Sequence, residues 1–261
     1  MKKTLLLCIA LVVALGTMAQ TPQQLASVRL KKVLGDMIKN HTTISYNSLA
    51  DMYPYTDLRP NGTIWDIYSD KGNLTLSKTG SSNGEGQTYN KEHTVPQSWF
   101  NEASPMKSDL FHVLPTDSYI NNMRSNMPYG EVGSPTKQSA NGFSKVGQCV
   151  TPGYSGTVFE PNDEYKGDVA RIYFYMVTCY YDRVGGWTGG VFGQEDKFAD
   201  YKGYPGMAEW QLRMLIRWAK QDPVSQKEID RNNAVYQKQG NRNPFVDCPG
   251  LERFIWSEYA E

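Results

Sequence analysis

The sequence predicts one helix-rich domain in which several helices are mixed with a few short strands. Three observations carry this. Several long segments repeat apolar residues at the spacing of a helix face, and the β-branched and aromatic runs are too short for anything but brief strands. Between them lie neither an internal repeat nor a linker-like stretch, and a chain of 261 residues is long enough to bury one sizeable core.

The first stretch is expected to stand apart from the fold. Lys2-Lys3 precede an almost unbroken apolar run from Leu5 to Leu15, and small residues at Thr17 and Ala19 precede Gln20. That is the pattern of a signal peptide over residues 1–19, too short to span a bilayer. A short membrane anchor is the alternative, and no second long apolar run follows. The expected location is therefore periplasmic or extracellular. Cys8 lies in the apolar run; Cys149, Cys179 and Cys248 remain, without metal-finger spacing. Such a compartment permits a disulfide, but the pairing stays open and at least one thiol is left over.

Residues 20–40 read as a helix, with Leu30, Val33, Leu34, Met37 and Ile38 on one stripe. His41 follows as a surface or capping residue. Thr63–Tyr68, behind the turn pair Asn61-Gly62, reads as a strand. Residues 77–90 read as a polar loop leading into a strand at 91–96, stopped by Pro96. Residues 109–114 read as a second strand. Pro115 and Asp117 suit the first turn of a helix running to about Arg124. Residues 133–165 look like irregular loop or hairpin. Asp168–Asp182 and Met207–Lys220 are periodic helices, and Ser225 with Glu228 forms a capping-box signature for a helix to Lys238.

Formal charge is balanced, with 27 Lys and Arg against 27 Asp and Glu. Loss of Lys2 and Lys3 leaves the chain slightly acidic. Nucleic-acid binders usually carry a basic excess, so a polyanionic substrate would need local cations or a metal. The chemistry concentrates in the window 89–126, which holds two of the three histidines, His93 and His112. Phosphodiester hydrolysis needs a base near neutral pH and positive charge at the phosphate. Histidine suits the first task; a hard divalent cation on one or two protein oxygens suits the second. Asp117, Asn121 and Arg124 share a helix face, so Asn121 and Arg124 are expected to point together at the strands, with a guanidinium well matched to phosphate. Glu92 and His93 are adjacent and should face opposite sides of a strand, unless it ends or twists there.

Glu92-His93-Thr94-Val95-Pro96-Gln97-Ser98-Trp99-Phe100, then Asp109-Leu110-Phe111-His112-Val113-Leu114-Pro115-Thr116-Asp117, then Asn121-Asn122-Met123-Arg124-Ser125-Asn126, resemble the endonuclease I family of secreted and periplasmic bacterial nucleases. Gly167–Arg171 with Tyr175-Met176 resembles that family's central helix, and Gln239–Phe245 its closing motif. The resemblance implies a mixed α+β domain containing a ββα-metal, or His-Me finger, site. It implies non-specific cleavage of DNA, and in many members RNA, leaving 5′-phosphate and 3′-hydroxyl ends. By the same resemblance His93 is the general base and Glu92 and Asn121 hold Mg²⁺, with Mn²⁺ or Ca²⁺ as other candidate ions. Arg124, Asn126, His112 and Arg242 are expected to bind substrate or support the site, in a monomer whose partner is nucleic acid and not a membrane.

The chain departs from the periplasmic members between the two halves of the motif. Residues 100–108 are short, and Lys107 is their only basic residue, so the family's phosphate-contacting arginine has no evident counterpart; Arg124, Arg242 and Arg59 are the candidates. The competing reading is a catalytically silent protein that binds nucleic acid or glycan through its 17 Tyr and 6 Trp. Such a protein has no need of Glu92, His93 and Asn121 together. A metallopeptidase is disfavoured by the absence of an HExxH motif.

Overall fold

The computed structural model describes residues 22–192 and 203–260. The expected signal peptide, residues 1–19, lies outside the described residues. Helix α1 (Pro22–Ile38) carries most of the predicted stripe, burying Leu30, Leu34 and Ile38, while Met37 is exposed. Two elements follow that periodicity does not show: a 3-10 turn at Tyr46–Asp51 and a single helical turn, α2 (Tyr53–Thr56).

Thr63–Tyr68 is not a strand. Ile64 makes one bridge, to Leu58. Asp66 then turns the chain by taking the Tyr68 amide on its own carboxylate at 2.9 Å. A side chain that satisfies the backbone locally competes with a ladder.

Strand β1 (Tyr89–His93) pairs antiparallel with β2 (Val113–Asp117), His93 opposite Val113 and Tyr89 opposite Asp117. Helix α3 (Ser118–Arg124) follows at once. The strand–strand–helix order is as expected, but the bounds shift. Pro115 belongs to β2, and Asp117 is the N-cap, its Oδ1 accepting the amides of Tyr119 and Ile120 at 2.9 and 3.0 Å. A capping carboxylate outranks a proline as the start signal because it satisfies two otherwise orphaned donors.

The Gly- and Ser-rich region after α3 holds a three-stranded antiparallel sheet of β3 (Val132–Gln138), β4 (Lys145–Cys149) and β5 (Thr157–Glu160) in that order. Bulges interrupt the β3–β4 register, and most of β3 is exposed, so neither face shows clean alternation. Helix α4 (Lys166–Cys179) is buried on every side. It forms the spine of the core, packed by α1 and by α5 (Glu209–Gln221). Helix α6 (Gln226–Gln239) has the predicted capping box at Ser225 and Glu228 and ends on Gly240, whose φ of 81° suits a residue without a Cβ. Two short turns, α7 (Pro244–Asp247) and α8 (Glu252–Ile255), close the chain. Cys149, Cys179 and Cys248 are all buried, and no disulfide forms among them. No described helix is long and apolar enough to cross a membrane.

Candidate active site

The β1–β2–α3 unit gathers the central window. Asn90 and Glu92 lie on one face of β1, and α3 contacts both. Asn121 donates through Nδ2 to Asn90 Oδ1 at 2.7 Å, and Arg124, one turn further on, ion-pairs with Glu92. The Glu92 carboxylate is nearly sealed from solvent. Its Oε1 takes both the Arg124 guanidinium and the Tyr68 hydroxyl, the latter at 2.7 Å. Burial pushes its pKa up, against the pull of Arg124 and Tyr68.

Arg124 is fully buried. It also donates to the carbonyls of His93 at 2.9 Å and Thr94 at 2.7 Å, and lies 4.3 Å from the centre of the Tyr129 ring. Of the two parts foreseen for it, this geometry matches support: the fork is occupied by protein and does not reach the surface. Tyr68 and Tyr129 share a hydroxyl–hydroxyl hydrogen bond behind the pair.

Strand β1 ends at His93, which is the condition under which adjacent Glu92 and His93 could serve one phosphate. His93 Nε2 lies 2.9 Å from the Lys107 carbonyl. A carbonyl only accepts, so Nε2 carries the proton and Nδ1 keeps its lone pair. Burial, reinforced by His112, pushes the imidazole pKa down to about 3, so the ring is neutral across the physiological range. Two rings flank it. Tyr46, from the turn after α1, stacks on it at 5.8 Å and 16°. His112 packs at 5.5 Å, and Phe100 meets His112 in turn at 5.9 Å. His112 is fully buried, bonded through Nε2 to the Met106 carbonyl at 2.6 Å, and burial lowers its pKa to about 4. It stands behind His93, out of reach of a phosphate.

A divalent cation would find a matching donor set here. Both hydrogen bonds on Glu92 fall on Oε1, leaving Oε2 uncommitted. Asn121 spends its amide hydrogens on β1, which leaves Oδ1 uncommitted. A carboxylate and an amide oxygen on facing elements suit a hard ion that keeps most of its waters.

The family model for endonuclease I matches residues 26–250. The chain belongs to the endonuclease I family. It is 34% identical over 235 residues to an extracellular ribonuclease of Bacillus amyloliquefaciens, a match covering 87% of this chain and 73% of that one. Shorter matches join it to endonuclease-1 of Buchnera aphidicola, 28% identical over 142 residues with 54% and 46% coverage. They also join it to an extracellular deoxyribonuclease of Aeromonas hydrophila, 24% identical over 148 residues with 56% and 52% coverage. Endonuclease I proteins are secreted or periplasmic, metal-dependent nucleases with a ββα-metal fold.

The remaining candidates of the endonuclease I motif are scattered. Asn126 is exposed just past α3. Arg242 is bound to Asp247 at 2.7 Å and Asn233 at 3.0 Å beyond the end of α6. Arg59 lies over the Trp65 ring at 4.3 Å, in a different cleft lined also by Asp168 and Lys227. None is drawn to Glu92 and His93 by any described contact.

His41, expected at the surface, instead joins a buried group with Asp109 and Cys179 whose potential ligand atoms lie within 4.8 Å of one another. These donor types could hold a metal ion. The oxygens of Asp109 are nevertheless taken: Oδ2 by the hydroxyls of Tyr175 and Tyr180, both at 2.7 Å, and Oδ1 by the Phe111 amide and the Gln239 side chain at 2.9 and 3.1 Å. Burial opposes the charge on Asp109, but His41, His112 and these donors hold its pKa below the ordinary value. The group therefore reads as a charged knot that ties the closing motif, through Gln239 and Asn241, to α4 and to the segment just before β2.

Sequence reasoning missed Tyr46, Tyr68 and Tyr129. Tyrosines are too frequent in this chain to single out, and all three lie outside the motif. Lys91 was also passed over, although its place two residues before His93 puts both on one face of β1.

Proposed function

We propose that the chain is a secreted, monomeric, Mg²⁺-dependent endonuclease that hydrolyses phosphodiester bonds without sequence specificity. DNA and RNA are both substrates in this reading, since the relatives include proteins named for each. The observation that carries it is the state of His93: a neutral, immobilised imidazole whose Nε2 proton is committed to the Lys107 carbonyl, so that Nδ1 is the free base.

His93 Nδ1 takes the proton of the attacking water. Glu92 and Asn121 are the residues that would hold Mg²⁺, which supplies charge neutralisation at the phosphate and at the leaving oxygen. Arg124 and Tyr68 fix the Glu92 carboxylate so that its second oxygen faces the site. The water oxygen bonds to phosphorus as the P–O3′ bond breaks, and the leaving oxygen takes a proton from solvent, which leaves a 5′-phosphate and a 3′-hydroxyl. His112, behind the base, keeps the His93 ring from turning.

The test is incubation of supercoiled plasmid and of a structured RNA with purified protein, with Mg²⁺ and with EDTA, beside the His93→Ala variant. Wild type is expected to nick and then degrade both in Mg²⁺ only. His93→Ala is expected to lose at least about 10²-fold in rate while still binding DNA. Wild-type rates from His93→Ala, or cleavage untouched by EDTA, would remove this mechanism.

A further inference from the structure

With Arg124 buried against Glu92, and Arg59 and Arg242 bound elsewhere, the site still lacks a cation for the phosphate. One ammonium near His93 is free. Lys91 shares the His93 face of β1 and is half-buried there. Its Nζ lies 4.6 Å from the centre of the Tyr46 ring, the same ring that stacks on His93. Lys107 approaches that ring too, at 5.1 Å, but its Nζ is held by Glu102 at 2.5 Å. Among the described residues Lys91 has neither a carboxylate partner nor a hydrogen-bond acceptor. Its one described side-chain contact is the aromatic face, which aligns a cation without neutralising it.

We propose that Lys91, seated on Tyr46 beside His93, is the side chain that receives the non-bridging oxygens of the phosphodiester being cleaved. The proposal rests on the nuclease reading above and supplies its missing phosphate contact. Strand spacing sets the ammonium and the imidazole side by side, and the flexible lysine stem lets Nζ leave the ring for a phosphate. Lysine binds phosphate as a point charge, so no planar fork is needed. Tyr46 acts as a positioning residue: one ring orients both the base and the cation.

The test uses Lys91→Met, which keeps the stem and removes the charge, and Lys91→Arg, which restores the charge. Cleavage of a fluorescent oligonucleotide duplex in Mg²⁺ gives kcat/KM. Fluorescence anisotropy of the same duplex in EDTA gives affinity against salt. Thermal unfolding of each variant checks that β1 is intact. Lys91→Met is expected to lose about 10–100-fold in kcat/KM, the scale of one hydrogen bond to a charged group, and the slope of log K against log salt is expected to fall by about 0.9. Lys91→Arg is expected to recover most of both. Wild-type kinetics and slope in Lys91→Met overturn the proposal. So does an equal loss in both variants with the slope unchanged, because that marks a structural role. A wild type that does not cleave removes the nuclease reading alone; the anisotropy slopes still decide whether Lys91 holds a phosphate.

Discussion

Arg124 separates a supporting role from a substrate-binding one by the currency in which its loss is measured. In Arg124→Met the Glu92 carboxylate stays buried with Tyr68 as its remaining donor, the His93 carbonyl loses its donor, and the Thr94 carbonyl keeps the Tyr173 hydroxyl at 2.9 Å. Removing one partner of a buried ion pair costs about 3–5 kcal/mol, since the other charge is left uncompensated. The orphaned His93 carbonyl adds about 1–3 kcal/mol to this, but Glu92 can escape by taking a proton, which its raised pKa already favours. We therefore expect a loss of about 3–5 kcal/mol in total, or roughly 6–20 °C in Tm at the usual sensitivity for a chain of this size. Urea unfolding followed by circular dichroism at pH 7, without metal, measures it. A second variant, Glu92→Gln, completes a double-mutant cycle: removing both charges should cost less than the two single losses added together. If Arg124→Met unfolds within about 1 kcal/mol of wild type yet no longer cleaves, the guanidinium faces the substrate and the buried pair is not its role.

Tyr46→Ala should lower kcat/KM while Tyr46→Phe retains it, because the stacked ring and not the hydroxyl meets His93; equal losses in both would contradict the stacking role. Burial raises the Asp66 carboxyl to about 7, against the amides of Tyr68 and Asp117 that it accepts. The folded state then binds the proton that the unfolded state releases near pH 4, so this group's contribution to stability falls as pH rises from about 4 to about 7. Urea titrations of wild type and Asp66→Asn across that window should show the wild-type advantage shrinking with pH, and a flat difference would refute the shift. Glu92→Gln should move the Mg²⁺ concentration that supports half-maximal cleavage upward, while Cys179→Ser should leave it in place; the reverse order would make the His41–Asp109–Cys179 group the metal centre.

The legible parts of this protein are those whose signals are local in sequence. The stripe of α1, the capping box of α6 and the strand–strand–helix order around Glu92 and His93 each follow from residues within a few positions of one another. The β3–β4–β5 sheet was illegible because its edge strand is exposed and bulged, which erases alternation. Thr63–Tyr68 misled because Asp66 captures a backbone amide that a strand would have used. In the site, residue types and spacing pointed to Glu92, His93 and Asn121, but not to what holds them. Tyr46 reaches His93 across 47 positions, and Tyr68 reaches Glu92 across 24. A side chain buried by tertiary contacts, such as Arg124, looks in the sequence like any arginine on a helix face.

The balanced charge also acquires a structural meaning. Many cations of the described residues are spent within the fold: Arg171 on Glu228, Arg231 on Asp57, Lys166 on Glu160, Arg217 on Glu131, Lys227 on Asp168 and Arg124 on Glu92. A molecule of this kind has no large positive field with which to draw a polyanion from a distance. Its grip on nucleic acid must come from contacts made at the site itself, and counterion release then scales with very few phosphates. In the proposed mechanism Lys91, on the His93 face of β1 and against the same Tyr46 ring, supplies that contact. Binding should accordingly be weak and only shallowly dependent on salt, with the discrimination residing in the transition state, where charge on the phosphate is greatest.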